Sequence, residues 1–312
     1  MRIGLSRSPK KLPPRLLYDS LGSILFDAIT LVPEYYLTRA ESEILETSSG
    51  DLVDCLPSPL RLIELGSGSS TKTKFLIEAI LKRQGSLRYL PIDVSESALE
   101  KSSRELLTAF PGLSITGFVS DYQRALDYLA KEERSPDGTH NLVLFLGSSI
   151  GNLNAASALG LLEEVRRALA PGEHFLLGAD LKKDQGELLA AYDDTLGITR
   201  AFTLNLLVRI NRELGGEFDI TQFDYKVRYD VSLGRVEAYL VSRKAQKVPI
   251  RELSLEVSFE AGESIHTESS HKYDLDQLST LATRGGFRFQ RHWLDSGCRF
   301  SENLLEAVPA AP

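Results

Sequence analysis

The stretch "LRLIELGSGSSTKTKFLIEAILKRQ", residues 60–84, joins an apolar run to an amphipathic run through a turn of glycine, serine and threonine. Residues 60–65 predict a β-strand, and residues 71–84 predict a helix with one apolar face. From about residue 60 to 180 the same alternation of strand and helix continues along the chain. Because consecutive parallel strands need crossover helices, this pattern predicts an α/β fold with a mostly parallel sheet covered on both faces.

The flanking sequence predicts how the rest of the chain is organised. The later strands of the block are expected at 88–94, 113–121, 141–147 and 173–180, with helices at 97–110, 123–133 and 156–170. Residues 277–308 predict a helix, a Gly-Gly break and two strands, which would form an antiparallel C-terminal hairpin on the sheet edge. Residues 18–41 predict a helix broken at Pro33, and residues 190–214 predict a further helix. We therefore predict a sheet domain, 40–182 with 272–312, and an α+β substrate-binding subdomain made of two chain segments, 1–39 and 183–271.

Composition limits the classes of partner. The chain has 312 residues, 42% of them hydrophobic, and a formal net charge of −7. An acidic protein is a poor sequence-independent binder of nucleic acid, and no apolar run approaches the ~20 residues that cross a bilayer. The two cysteines suit a reducing compartment, and no signal peptide is evident. We expect a cytoplasmic monomer with a small-molecule substrate, and neither nucleic acid nor membrane as a partner.

The glycine turn at 66–71 does not have the chemistry of a phosphate-binding loop. A dinucleotide fingerprint needs a third glycine where this chain has Thr71, and no Gly-Lys-Ser/Thr sequence is present. Glu64 lies two residues before the first glycine, where its charge would repel a phosphate. The pattern Glu-x-Gly-x-Gly at the end of a first strand is typical of enzymes that bind S-adenosylmethionine.

Two further acids favour the same cofactor. Asp93 and Asp121 follow the next two predicted strands, so their carboxylates meet at the same edge of the sheet. Asp93 is placed to accept the ribose hydroxyls, and Asp121 to meet the adenine amino group, although an acid at this position is also a common helix cap. We predict no metal, and S-adenosylmethionine bound by the residues Glu64, Gly66, Ser67, Gly68, Lys72, Asp93, Asp121, Tyr122 and Gly147.

Longer motifs make a family resemblance visible. They are "YDSLGSILFDAITLVPEYYLTRAESEIL" (18–45), "IELGSGSSTKT" (63–73), "PIDVS" (91–95), "FLGSSIGN" (145–152), "AYDDTLGITRAF" (191–202), "NRELGGEFD" (211–219) and "HTESSHKY" (266–273). In this order the chain resembles the histidine N-alpha-methyltransferases of ergothioneine biosynthesis from about residue 9 onward. The resemblance implies a Rossmann-like S-adenosylmethionine methyltransferase domain with a substrate subdomain. It also implies up to three methyl transfers to the α-amino group of histidine.

The resemblance also implies roles for residues near the substrate's backbone groups. Asn152 would hold the amine or the carboxylate, and Tyr192 would donate to the carboxylate. Tyr18 and Tyr35 would face the amine, where a methylated cation gains cation–π stabilisation. Tyr18 and Asn152 are the residues expected to be catalytic.

A second group of residues would read the imidazole ring. Glu268 would accept the ring N–H, and the hydroxyl of Ser270 would serve the other nitrogen. Ala238 stands where the family pattern has methionine, which would enlarge the ring end of the pocket. The other positions expected to line the site are Gly147, Thr199 and Phe202.

Rival interpretations remain open at this point. A relative of the same fold could act on tryptophan or another amino acid, since an enlarged pocket could admit an indole. A nicotinamide oxidoreductase is disfavoured by Thr71 and Glu64. A non-catalytic S-adenosylmethionine-binding module would not need the substrate residues.

Overall fold

The computed structural model describes residues 1–131 and 138–309. The helices are α1 Arg2–Ser6, α2 Ser20–Ile29, α3 Leu37–Asp54, α4 Thr73–Gln84, α5 Glu96–Ala109, α6 Tyr122–Lys131, α7 Ala155–Ala168, α8 Gln185–Tyr192, α9 Ile198–Leu214 and α10 Leu275–Arg284. The strands are β1 Lys10–Lys11, β2 Leu60–Leu65, β3 Leu87–Asp93, β4 Leu113–Ile115, β5 Phe118–Val119, β6 His140–Phe145, β7 His174–Asp180, β8 Phe223–Asp230, β9 Arg235–Ser242, β10 Gln246–Ile250, β11 Leu255–Phe259, β12 Ser264–His271, β13 Phe287–Leu294 and β14 Phe300–Ala307. None of the helices in the described part is long and apolar enough to span a membrane.

The chain forms two compact units. The large unit contains residues 37–181 and 273–312, and the small unit contains residues 1–36 and 182–272. The predicted domain assignment stays a prediction, because a compact unit is not shown to fold by itself.

The large unit is built on one sheet with the strand order β13-β14-β7-β6-β2-β3-β4, and β5 also pairs with β3. Strands β2, β3, β4, β6 and β7 run parallel, and β14 joins β7 antiparallel and pairs with β13 as a hairpin. The predicted α/β sheet with an antiparallel hairpin at its edge is confirmed. The order reverses at β2, so the loops after β2 and β6 lie at the crevice where ligands bind in such sheets.

Apolar residues on the inner faces of the strands explain why this sheet forms. Ile63, Val143 and Phe175 are each at most 1% exposed, as expected for strands covered by helices on both faces. Helix boundaries also follow local chemistry. Gly85 ends α4 in the left-handed conformation (φ 78°), and Asp274 begins α10 with a capping box.

The segment 113–131 of the large unit differs in part from the elements predicted from its sequence. The single strand predicted at 113–121 is wrong, because β4 and β5 are separate short strands interrupted at residues 116–117. Gly117 lies in this interruption, and glycine weakens a strand because it has no side chain to pack. The helix predicted at 123–133 corresponds to α6, and its last two residues lie outside the described part.

The small unit contains a sheet of order β1-β12-β9-β8, a separate β10–β11 hairpin, and the helices α1, α2, α8 and α9. The continuous helix predicted at 190–214 is wrong, since α8 ends at Tyr192 and α9 begins at Ile198. The Asp194 carboxylate accepts hydrogen bonds from the amides of Ile198 (2.9 Å) and Thr199 (2.7 Å), which fixes the start of α9.

The register of β9 against β12 decides which side chains share a face. Ala238 lies directly opposite Glu268, and Val236 lies opposite Ser270, with an irregularity between His266 and Glu268. Since directly opposed residues point to the same side of a sheet, these four side chains share one face.

Candidate active site

Each unit carries its own group of the predicted residues. In the large unit the glycine turn follows β2, and the amides of Gly66 and Ser67 both donate to the Ile92 carbonyl, at 2.8 and 3.1 Å. Gly66 and Gly68 have φ values of 72° and 51°, and a Cβ at either position would meet no atom within 4 Å. Glycine adopts this left-handed conformation without strain, and it leaves open space against the backbone.

Ser67 adds a polar group to this turn. The residue is 6% exposed, and its hydroxyl oxygen has no hydrogen-bond partner among the described residues. A buried hydroxyl normally has a partner, so an unsatisfied one beside open space fits a site that a polar ligand completes.

Glu64 is buried beneath the turn. Its carboxylate accepts hydrogen bonds from the hydroxyls of Thr73 (2.8 Å) and Tyr89. Burial raises the pKa of Glu64 to about 7, although both hydroxyls and Lys72 act in the opposite direction. The predicted contact of Glu64 with the cofactor stays a prediction, and the hydrogen bonds show that this acid also organises the base of the turn.

The acids after the next two strands have different environments. Asp93, at the end of β3, is half-buried and accepts from the amides of Gly68 and Ser95, both at 2.9 Å. Asp121 is exposed and accepts from the Arg124 amide at 3.0 Å, which makes it the cap of α6. Tyr122 is half-buried and packs edge-on against Phe145, with 5.8 Å between ring centroids. The cofactor roles of all three stay predictions.

Glu41, on α3, connects two of the predicted cofactor residues. Its buried carboxylate forms an ion pair with Lys72 and accepts a hydrogen bond from the Gly147 amide at 2.5 Å. Gly147 has φ 73° and follows β6, and Asn152 ends the short 3-10 helix Ser149–Asn152 beyond it. The Lys72 ammonium therefore neutralises an internal acid, while its predicted contact with the cofactor stays untested.

A second acid lies in the same interior. Glu302, on β14, is fully buried, and neither of its oxygens accepts a hydrogen bond from the described residues. A Cβ at Gly178 would come within 2.6 Å of a Glu41 oxygen and 3.0 Å of a Glu302 oxygen. Both carboxyl groups therefore pack against the backbone of Gly178, where there is no side chain. Burial and the Glu41 carboxylate hold the pKa of Glu302 well above its usual value, which favours its protonated form.

In the small unit, aromatic rings connect most of the predicted substrate residues. The ring of Tyr18 lies 5.4 Å from the rings of both Phe26 and Phe202. Phe26 is 6.2 Å from Tyr35, and Tyr35 is 6.3 Å from Tyr192, all in edge-to-face arrangements. Thr199 is buried in the first turn of α9, one helical turn from Phe202. The structure thus brings Tyr18, Tyr35, Tyr192 and Phe202 into one aromatic cluster.

A polar cluster lies beside these rings. The Tyr192 hydroxyl donates to the Ser270 hydroxyl at 2.7 Å. The buried ammonium of Lys272 donates to the Tyr192 hydroxyl at 2.8 Å and to the Ser270 hydroxyl at 2.9 Å. The hydroxyl of Tyr192 thus contacts other side chains, and its predicted contact with a substrate carboxylate stays a prediction.

Glu268 and the tyrosines near it have shifted pKa values. Burial raises the pKa of Glu268 to about 7, and the positive charge of Lys272 partly counteracts this. Burial, followed by the charge of Glu268, raises the pKa of Tyr18 and of Tyr225 well above the usual value. These phenols stay neutral, so they donate hydrogen bonds and do not act as bases.

Sequence reasoning missed three residues of these groups. Lys272 is inside the quoted motif "HTESSHKY", and strand alternation from Glu268 through Ser270 places it on the same side. Glu41 is inside "PEYYLTRAE", but no local pattern indicates which loops its carboxylate reaches. Tyr225 donates to the Tyr192 carbonyl at 2.6 Å, a contact that only the tertiary fold determines.

The open space at the glycines, the unsatisfied Ser67 hydroxyl and the acid after β3 fit a ligand with ribose hydroxyls and a small polar tail. With the strand order of the sheet, they fit an S-adenosylmethionine-dependent methyltransferase with a Rossmann-like fold. The sequence profile of one family, described as "Histidine-specific methyltransferase, SAM-dependent", matches residues 1–307. The chain belongs to this family.

Individual relatives agree with the assignment. A histidine N-alpha-methyltransferase from Mycolicibacterium smegmatis is 38% identical over 304 residues, covering 97% of this chain and 92% of that protein. A histidine N-alpha-methyltransferase from Mycobacterium tuberculosis is 37% identical over 301 residues, covering 96% of this chain and 92% of that protein. Ergothioneine biosynthesis protein 1 from Neurospora crassa is 31% identical over 289 residues, covering 91% of this chain and 32% of that protein.

Proposed function

We propose that this chain transfers methyl groups from S-adenosylmethionine to the α-amino nitrogen of L-histidine, up to N-alpha-trimethylhistidine. The observation that carries the proposal is the pair Glu268 and Ser270 on one face of β12, beside the aromatic cluster of the small unit. The names of the two bacterial relatives support the same substrate.

The pair has the donor and acceptor groups that a neutral imidazole needs. A neutral imidazole offers one N–H donor and one nitrogen acceptor. The Glu268 carboxylate accepts the N–H, and the Ser270 hydroxyl donates to the other nitrogen. A charge-assisted hydrogen bond of this kind contributes about 1.5–3 kcal/mol, which is enough to select the ring.

In this proposal, neutral side chains contact the α-amino group of the substrate. Methyl transfer is a direct displacement, so the nitrogen must be unprotonated and aligned, and its proton is lost to solvent before docking. Tyr18 is a neutral phenol whose ring, with that of Tyr35, provides an aromatic face for the methylated cation. In this proposal Asn152 orients the substrate's backbone groups, while the single proton of the Tyr192 hydroxyl is donated to Ser270.

The large unit holds the methyl donor. When it is bound, S-adenosylmethionine supplies the electrophilic methyl group of its sulfonium. The glycine turn and the Ser67 hydroxyl would surround its amino-acid portion, and Asp93 would accept its ribose hydroxyls. Gly147, which Glu41 fixes through its amide, would line the same pocket.

The test is a substrate screen. Purified protein is incubated with S-adenosylmethionine and each of the twenty amino acids in turn, and the products are measured by mass spectrometry. We expect mass increases of one, two and three methyl groups on histidine. Methylation of a different amino acid, with histidine unchanged, would refute the proposal.

A tryptophan-type substrate is the second candidate, because Ala238 is a small residue directly opposite Glu268. An indole has one N–H and no ring acceptor, so it would leave the Ser270 hydroxyl without its partner. Ala238→Met places a larger side chain opposite Glu268 and reduces the space for the substrate ring. We expect it to reduce any activity on tryptophan by about tenfold or more, while activity on histidine changes by less than about threefold.

The remaining part of the proposal concerns the state of the protein. We propose that it acts as a monomer in the cytoplasm, where free thiols are stable; Cys55 and Cys298 are both free. Light scattering coupled to size-exclusion chromatography should give the mass of one chain, 34.6 kDa.

A further inference from the structure

Lys272 is the buried cation of the small unit's polar cluster. It is 2% exposed, and its ammonium lies 2.8 Å from the Tyr192 hydroxyl and 2.9 Å from the Ser270 hydroxyl. Removing an ammonium from water costs several kcal/mol, and an apolar side chain of similar length would fill the same space without that cost. The position of the charge therefore calls for an explanation beyond packing.

The hydrogen bonds of Ser270 provide it. A serine hydroxyl has one proton to donate and two lone pairs that accept. One lone pair accepts from Tyr192 and the other accepts from Lys272. Since both acceptor positions are filled by protein groups, the hydroxyl proton of Ser270 is directed to a further acceptor.

We propose that Lys272 is a positioning residue that makes Ser270 an obligatory hydrogen-bond donor toward the substrate ring. The site thereby selects a side chain whose ring presents an N–H to Glu268 and an unprotonated nitrogen to Ser270, two residues further along β12. This inference rests on the proposed function, which it deepens by naming the residue that fixes Ser270 in the donor role. Lys272 acts through Ser270 and does not itself contact the ring.

The test compares histidine with analogues that lack one ring nitrogen. The two pyrrolylalanines, pyrrol-2-yl and pyrrol-3-yl, each replace one nitrogen of histidine by C–H. Binding is measured by calorimetry in the presence of S-adenosylhomocysteine, so that no methyl transfer occurs. The preference for histidine is the dissociation constant of the analogue divided by that of histidine. Histidine and the matching analogue both present an N–H to Glu268. Effects of a substitution on Glu268 therefore cancel in this ratio.

Four proteins form a double-mutant cycle: wild type, Lys272→Met, Ser270→Ala and the double variant. We expect the wild type to prefer histidine by at least about tenfold over the pyrrolylalanines, because an unmade hydrogen bond leaves the Ser270 donor unpaired. Lys272→Met should lose most of this preference, because the freed hydroxyl can turn. In the Ser270→Ala background, Lys272→Met should change the preference less than about twofold.

Two controls separate positioning from folding. Lys226→Met removes an exposed lysine on β8 and should leave the preference unchanged. Lys272→Gln keeps an N–H donor without the charge, should fold if Lys272→Met does not, and should retain part of the preference. Affinity for S-adenosylmethionine and the melting temperature are recorded for every variant.

Each result decides between the two proposals. A wild type that binds histidine selectively, with a preference unchanged in Lys272→Met and Lys272→Gln, overturns the role of Lys272 and leaves the proposed function standing. If Lys272→Met reduces the preference for histidine equally with and without the Ser270 hydroxyl, the role of Lys272 is also overturned. A wild type that binds another amino acid and not histidine overturns the proposed function itself.

Discussion

Glu41 and Gly147 are joined by a hydrogen bond of 2.5 Å, donated by the Gly147 amide to a carboxylate that is fully buried. The same carboxylate is paired with Lys72 in the stretch before α4. One acid on α3 therefore fixes two of the loops at the ligand-binding edge of the large sheet.

Glu41→Gln should destabilise the protein and weaken cofactor binding. The substitution leaves the Lys72 ammonium without its counter-charge, and breaking a buried pair in this way costs about 3 kcal/mol. We expect a lower melting temperature and a dissociation constant for S-adenosylmethionine raised by about tenfold, measured by thermal unfolding and calorimetry. Glu46→Gln, an exposed position on the same helix, serves as the control and should change stability by less than about 0.5 kcal/mol.

Glu302→Gln should stabilise the protein, and more so at higher pH. The folded protein favours the protonated form of Glu302, whereas in the unfolded chain this residue ionises above its ordinary pKa of 4.5. Folding thus takes up a proton above pH 4.5, and stability is lost as pH rises from there toward the folded pKa, by up to about 1.4 kcal/mol per pH unit. Unfolding free energies from guanidinium titrations at pH 6 and pH 8 give the test. A wild type and variant with the same pH dependence would contradict the protonated state.

Histidine binding should strengthen as pH rises through about 7. The pKa of Glu268 is about 7 in the free protein, and only its ionised form accepts the ring N–H with a full charge. The titratable groups that face it are Tyr18, Tyr225 and Lys272, of which the two tyrosines stay neutral in this range. The dissociation constant of histidine is measured from pH 6 to pH 8.5 in the wild type and in Glu268→Gln.

The Glu268→Gln variant isolates this contribution, because the titration of histidine itself is common to both proteins. We expect its pH dependence to be flatter than that of the wild type. Glu268→Ala should weaken binding by more than about tenfold, as loss of a charge-assisted hydrogen bond implies. An unaltered KM for histidine in Glu268→Ala would contradict the role of Glu268 as the acceptor of the ring N–H.

Asp93→Ala should raise the KM for S-adenosylmethionine by about tenfold or more. The substitution removes the predicted ribose acceptor, and it also removes the carboxylate that holds the Gly68 amide. Steady-state kinetics with each substrate varied in turn provide the measurement. A selective increase in the KM for histidine, with S-adenosylmethionine unaffected, would contradict the cofactor assignment.

How well the sequence predicts the structure depends on how far apart in the sequence the interacting residues are. Local periodicity predicted β2, β6 and β7 well, because strands buried on both faces are continuously apolar. It failed at residues 193–197, where the Asp194 carboxylate starts a new helix after a break. Strand alternation from Glu268 and Ser270 also reaches Lys272, which the sequence-based prediction missed, whereas the link from Glu41 to Gly147 depends on packing between elements far apart in sequence.

The pairing of β14 with β7 has a consequence for the order of synthesis. The polypeptide completes β7 at residue 180, but the strand that hydrogen-bonds to its free edge does not leave the ribosome until residues 300–307 have been translated. Residues 182–272, which belong to the small unit, are made in between. Throughout that interval the nascent chain lacks the strand that pairs with β7, and an unpaired strand edge is open to chaperone contact and mispairing.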